Sequence, residues 1–174
     1  MKNSKKIALT GMLCALAVAI MMMGGLIPLA TYCCPALAGL MLIPIFVECG
    51  EKLSWCAFAA IAILSLMLCP DKEAALFFLF LGYYPIVRWR LEQIRSTALR
   101  IIAKLGVFNI AVGLTYLLLI FLFRMDRIIQ EYQEMGLILT AVCLLLGNIT
   151  LLFYDRLLVN ITALYVNRLR NKLL

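Results

Sequence analysis

The run IALTGMLCALAVAIMMMGGLIPLATYCCPALAGLMLIPIFV, residues 7–47, holds 41 residues without a charge. A bilayer core of about 30 Å takes about 20 helical residues, so this run is long enough for two spans. Gly24, Gly25, Pro28 and Pro35 stand in its middle, where a turn between the two belongs. Four further charge-free runs follow: Leu53–Pro70 of 18 residues, Ala74–Val87 of 14, Leu105–Phe123 of 19 and Met135–Tyr154 of 20. The pattern predicts spans at about 6–27, 34–49, 52–70, 72–91, 102–124 and 134–158. The fourth crosses only if Arg88 and Arg90 carry their charged heads out to the interface. A re-entrant or interfacial segment is the alternative there.

Composition supports the same class. Of 174 residues, 66% are hydrophobic and 14% charged, with a mean hydropathy of +1.04. Soluble domains carry about 45–50% apolar and about 25% charged residues, so a water-soluble fold is excluded. The length leaves no room for a fused ATPase. A net charge of +7 suggests nucleic acid in a soluble protein, but in a membrane protein it marks cytoplasmic loops. With six spans and the N-terminus inside, thirteen basic residues face the cytoplasm: Lys2, Lys5, Lys6, Lys52, Arg88, Arg90, Arg95, Arg100, Lys104, Arg156, Arg168, Arg170 and Lys172. Only Lys72, Arg124 and Arg127 fall outside, as the positive-inside rule requires. The expected fold is therefore an all-α integral membrane protein, one domain over 1–174, with six transmembrane helices and both termini cytoplasmic. The basic start and Ala15-Leu16-Ala17 mimic a cleavable signal, but no soluble mature domain follows, so the segment reads as the first span. Arg88 to Lys104 reads as an amphipathic interfacial helix between spans four and five, and residues 160–174 as a helical tail near lipid headgroups.

Several chemistries are missing. The chain has no histidine, which removes imidazole zinc sites, Ser–His dyads and histidine proton relays. Its seven cysteines form no C-x-x-C pair and read as small hydrophobes between helices, with oxidation the alternative for Cys33–Cys34 at the outer surface. The nine acidic residues all fall at predicted interfaces or loops, where an ion-coupled carrier would want one inside a span. No phosphate-binding glycine loop is present. No enzyme activity, cofactor or metal is expected, and uphill movement of a solute would need a partner as its energy source.

Three positive features remain. Gly11, Ala15 and Ala19 recur every four residues along span one, a spacing that lets another helix approach closely in lipid; ordinary internal packing is the alternative. Thr31 and Tyr32, Lys72 and Glu73, and Tyr116 gather at the outer ends of spans as candidates for an outer-half pocket for a small water-soluble metabolite. A purely structural reading serves equally, with Asp71 as N-cap and Glu73 in the first turn of span four. Finally, spans five and six run antiparallel, so positions whose numbers add to about 257 share a depth, which sets Asn109 opposite Asn148. A mutual hydrogen bond of about 0.6 kcal/mol explains the pair, and a ligand contact is the alternative.

The basic start followed by G-M-L-C-A-L-A-V-A (11–19), with Ala15-x-x-x-Ala19 inside it, resembles the first helix of the substrate-binding S-components of energy-coupling-factor (ECF) vitamin transporters. The sequence likeness is local to residues 6–28, while size, six spans and the Gly/Pro-rich first outer loop agree over the whole chain. The resemblance implies that the small-residue face docks on a transmembrane coupling protein, that paired cytoplasmic ATPases drive the cycle, and that substrate sits under the outer loops. No signature for a particular vitamin is present. A non-transporting scaffold of the MreD cell-shape type has similar size and span number, and would use the same face and the basic loops for protein contacts.

Overall fold

The computed structural model describes the backbone of residues 3–26, 30–121 and 126–169, and the side chains of 4–24, 30–114 and 141–167. Every regular element among them is helical: α1 (Asn3–Met22) running into a 3-10 turn (Met23–Leu26), α2 (Ala30–Leu40), α3 (Leu42–Cys49), α4 (Glu51–Leu68), α5 (Lys72–Leu81), α6 (Tyr84–Leu91), α7 (Thr97–Phe121), and α8 (Asp126–Leu164) ending in a π-helical turn (Tyr165–Leu169). Among the described residues, five stretches are long and apolar enough to cross a membrane: Ser4–Met22, Ala30–Cys49, Glu51–Leu68, Thr97–Leu114 and Ala141–Asn167. The chain is an all-α, multi-pass membrane protein. It forms two compact units, Met1–Gln93 and Ile94–Leu174.

In the first unit α1 packs on α2, α3 and α4, and α5 packs on α2 and α4. Ala17, Val18 and Met21 of α1 meet Ala38, Leu42 and Ile45 of α2–α3, Ala57, Ile61 and Ala62 of α4, and Ala74, Ala75 and Phe78 of α5 in one core. The alanines let helix backbones approach closely, and Phe78 and Met21 fill the space left between them. Cys34 and Cys69 are buried there as small side chains, in keeping with the sequence reading. Between α3 and α4 the chain reverses through one residue, Gly50, whose φ of +88° would strain any residue with a Cβ.

Two breaks in this unit have the same cause. Helix is interrupted at Met41 and again at Gly82–Tyr83, and in each case a proline stands three residues beyond the start of the break: Pro44 and Pro85. Proline has no N–H to give the carbonyl four residues back, and its ring crowds that carbonyl. The ladder therefore resets, with Pro44 and Pro85 both in the first turn of a new helix, where the missing donor costs nothing. The expected fourth span is thus two short helices, α5 of 10 residues and α6 of 8, about 15 Å and about 12 Å long. Neither crosses a bilayer alone.

The arginines of that segment also differ from expectation. Arg88 does not carry its charge outward: the residue is 7% exposed, and its guanidinium pairs with Glu92 at 3.3 Å. Arg90 is exposed and reaches Glu51, at the start of α4, at 2.7 Å. An isolated interfacial helix over Arg88–Lys104 is not formed either. Residues 88–91 finish α6, 92–96 are non-helical, and 97–104 are the opening turns of α7. Topology gives one test here: with Ser96 replaced by cysteine in a cysteine-free background, the positive-inside rule predicts that membrane-impermeant external reagents fail to label it. Ready labelling from outside would overturn the six-span orientation.

The second unit is a helical hairpin in which α7 packs along α8. At 39 residues, α8 measures about 58 Å, nearly twice the hydrocarbon thickness. It outruns the expected span 134–158 at both ends, and the tail stays helical through Leu169.

Candidate functional site

One end of the first unit collects four of the residues singled out in the sequence. Helices α2 and α5 pack together, and the edge of the Tyr32 ring meets Phe77 at a centroid distance of 5.6 Å. Thr31 is half-buried beside it in the first turn of α2, while Tyr32, Lys72 and Glu73 are exposed. Beneath them the corner closes on small residues. A Cβ on buried Gly24 would lie 3.4 Å from the Ala74 Cβ and 3.8 Å from the Cys34 Cβ. The two helix starts are thereby held side by side.

The polar groups of this end already do structural work. The Asp71 carboxylate accepts from the backbone N–H groups of Glu73 (3.0 Å) and Ala74 (3.2 Å), the N-cap that the sequence suggested. Glu73 follows in the first turn of α5, where a negative charge complements the helix dipole. Lys72 Nζ donates to the Leu66 carbonyl at 2.8 Å, satisfying one of the orphan acceptors at the end of α4. Tyr116 lies on α7 in the other unit, and its side chain is outside the described residues.

In the hairpin the register arithmetic holds. Asn109 Nδ2 donates to Asn148 Oδ1 at 3.1 Å, Asn148 Nδ2 returns a longer bond to Asn109 Oδ1 at 3.5 Å, and each amide also donates to the carbonyl four residues back in its own helix at 2.8 Å. The mutual hydrogen bond is therefore present. The same alignment brings together a pair the sequence reading passed over. Lys104 Nζ and Asp155 Oδ2 meet at 2.7 Å, with side chains only 6% and 11% exposed. The sequence reading puts Lys104 on the cytoplasmic side and Asp155 at an interface or loop without pairing them. Carried five residues toward the α7 N-terminus, the Asn109–Asn148 register sets Lys104 opposite position 153, two residues from Asp155.

On α1 the small residues face away from the core. Gly11, Ala15 and Ala19 are exposed, as is Ala8 one turn earlier, whereas Ala17, Val18 and Met21 point into the helix packing. A Cβ added at Gly11 would find no atom within 4 Å. Among the described residues no cluster of His, Cys, Asp or Glu is suited to a metal ion. Compared with known proteins, the chain matches no family model, no curated protein and no solved structure.

Proposed function

We propose that this chain is the substrate-binding S-component of an ECF-type uptake transporter in a bacterial plasma membrane. It captures a small, water-soluble, vitamin-like metabolite at its outer end. It then delivers that metabolite by docking α1 on a transmembrane coupling protein driven by paired cytoplasmic ATPases. The observation that carries this reading is the exposure of Gly11, Ala15 and Ala19. Small residues that leave a helix surface open to close approach suit a partner helix, since close packing rather than hydrophobicity drives association in lipid. Gly11 to Ala19 extends about 12 Å along the helix, enough for one helix crossing.

Ala15→Trp and Ala19→Trp are expected to give stable protein that no longer co-purifies with the coupling subunit and no longer supports uptake. Ala57→Trp is the control. Ala57 is 2% exposed in the core of the first unit, so its enlargement should reduce expression instead. Retention of full ATP-dependent uptake by the α1 variants would remove the docking assignment, and loss of their expression would return α1 to internal packing.

For the ligand, Thr31, Tyr32, Lys72 and Glu73 are the candidates in the first unit, and Tyr116, with Asn109 and Asn148 next, those in the second. Once mass spectrometry of the purified protein identifies a bound small molecule, Tyr116→Ala and Lys72→Ala should each weaken its binding by more than about 1 kcal/mol. Unchanged affinity in both moves the site elsewhere. The scaffold reading of the MreD type is favoured by one observation: Asp71 and Lys72 are already engaged by backbone groups within the unit. Purification that yields partner proteins without ATPases, and no small molecule, would select it.

A further inference from the structure

Along α8 and into its π-helical turn, Asn148, Leu151, Asp155, Leu158, Thr162 and Tyr165 recur at alternating three- and four-residue steps, the spacing of a coiled-coil seam. Leu151, Asp155, Leu158 and Tyr165 are buried, and the other two are half-buried. One set of seam positions is apolar or aromatic (151, 158, 165) and the other is polar throughout (148, 155, 162). Polar residues at such positions are costly in a helix pair, and their best-attested use is to specify register.

A register-setting device is needed here. In lipid, an apolar side chain that leaves its partner helix regains equivalent contact from acyl chains, so an apolar seam alone discriminates weakly between registers. We propose that Lys104–Asp155 and Asn109–Asn148 form a two-rung lock that holds α7 against α8 at one depth. A slip of one heptad in one direction sets Lys104 against Thr162 and Asp155 against Ala111. In the other direction Lys104 meets Asn148 while Asp155 meets Thr97. Either slip breaks the 2.7 Å pair, and the first sets the buried carboxylate against an alanine, an arrangement that a low-dielectric interior penalises heavily. Phe108 sits in the same register, its ring 3.4 Å from where a Cβ on Gly147 would stand, so a small residue receives the large one.

The test uses the full chain with its native cysteines replaced, carrying spin labels at the exposed positions Ile102 and Leu145, and reads their separation by pulsed electron resonance in bilayers. The unmodified seam should give one narrow distance. Moving the acid by one heptad (Asn148→Asp with Asp155→Leu) should shorten that distance by several ångströms, as a slip of about 10 Å along the helix brings the labels closer in depth. Reversing the pair (Lys104→Asp with Asp155→Lys) should preserve it. Replacing all four rung residues by leucine should leave a helical, inserted protein with several distances in place of one. An unchanged single distance in the transplanted or all-leucine protein, or a new one in the reversed pair, would overturn the proposal.

Discussion

Lys104→Leu and Asp155→Leu, made singly, are each expected to cost about 3–5 kcal/mol of stability, while the double change costs far less than the sum. The reason lies in what each single change leaves behind. The pair is separated by 2.7 Å, with both side chains almost wholly withdrawn from solvent. Their mutual attraction roughly offsets the cost of desolvating them, so removing both groups changes little. Removing one takes from the other its counter-charge at 2.7 Å and leaves the desolvation cost of the remaining charge uncompensated by that attraction. Denaturant titration of the protein in detergent measures all three variants. Additive losses would show that the two groups are stabilised independently by their surroundings and are not a coupled pair.

Gly82→Ala is expected to be the most damaging glycine substitution in the first unit. A Cβ there would lie 2.7 Å from a ring atom of Phe78 and 2.7 Å from the Phe78 carbonyl oxygen. The ring has nowhere to retreat, since Phe78 is fully buried and packs against Phe58 at 5.7 Å. The carbonyl is equally constrained by the 2.7 Å bond it accepts from Gly82 N–H. Overpacking of this kind costs about 1–3 kcal/mol or more. Gly11→Ala supplies the contrast, because its new methyl meets open space and alanine is favoured over glycine inside a helix by up to about 1 kcal/mol. A thermal unfolding shift downward for Gly82→Ala and level or upward for Gly11→Ala is the expected result. Equal behaviour of the two would mean that Phe78 and the α5–α6 turn yield more readily than their packing implies.

Which parts of this architecture could be read from sequence follows from what lipid can and cannot distinguish. Charge-free length reports avoidance of water, and the long helices stand where such runs predicted. Antiparallel arithmetic found the Asn109–Asn148 bond because a hairpin with a known turn has one free parameter. The break at Gly82 was missed although Pro85 announces it, because an apolar count weights proline as one more non-polar residue. Burial was harder. In a membrane both the protein-facing and the lipid-facing sides of a helix are apolar, so composition cannot say that Ala17 meets a neighbour while Ala15 does not. Arg88 and Lys104 were assigned to the boundary for the related reason that a long basic side chain has two ways to escape hydrocarbon, outward to headgroups or inward to a carboxylate. Only the three-dimensional arrangement of Glu92 and Asp155 decides between them. Whether Lys72 and Glu73 serve a ligand or only the helix ends is the least legible point, since both uses suit the residue types.

The division of residues 72–91 into α5 and α6 bears on how the chain enters the membrane while it is being made. A segment leaving the translocation channel is sorted by its own apolar length. The longest uncharged run within residues 72–91 is 14 residues and includes Pro85, with Lys72 and Glu73 before it and Arg88 and Arg90 close behind, so the segment makes a poor independent insertion signal. The apolar faces of α5 and α6 pack against α2, α3 and α4, and Arg90 pairs with Glu51, all of them earlier in the chain. The helices that shelter this pair thus precede it in the chain and are available by the time it is synthesised.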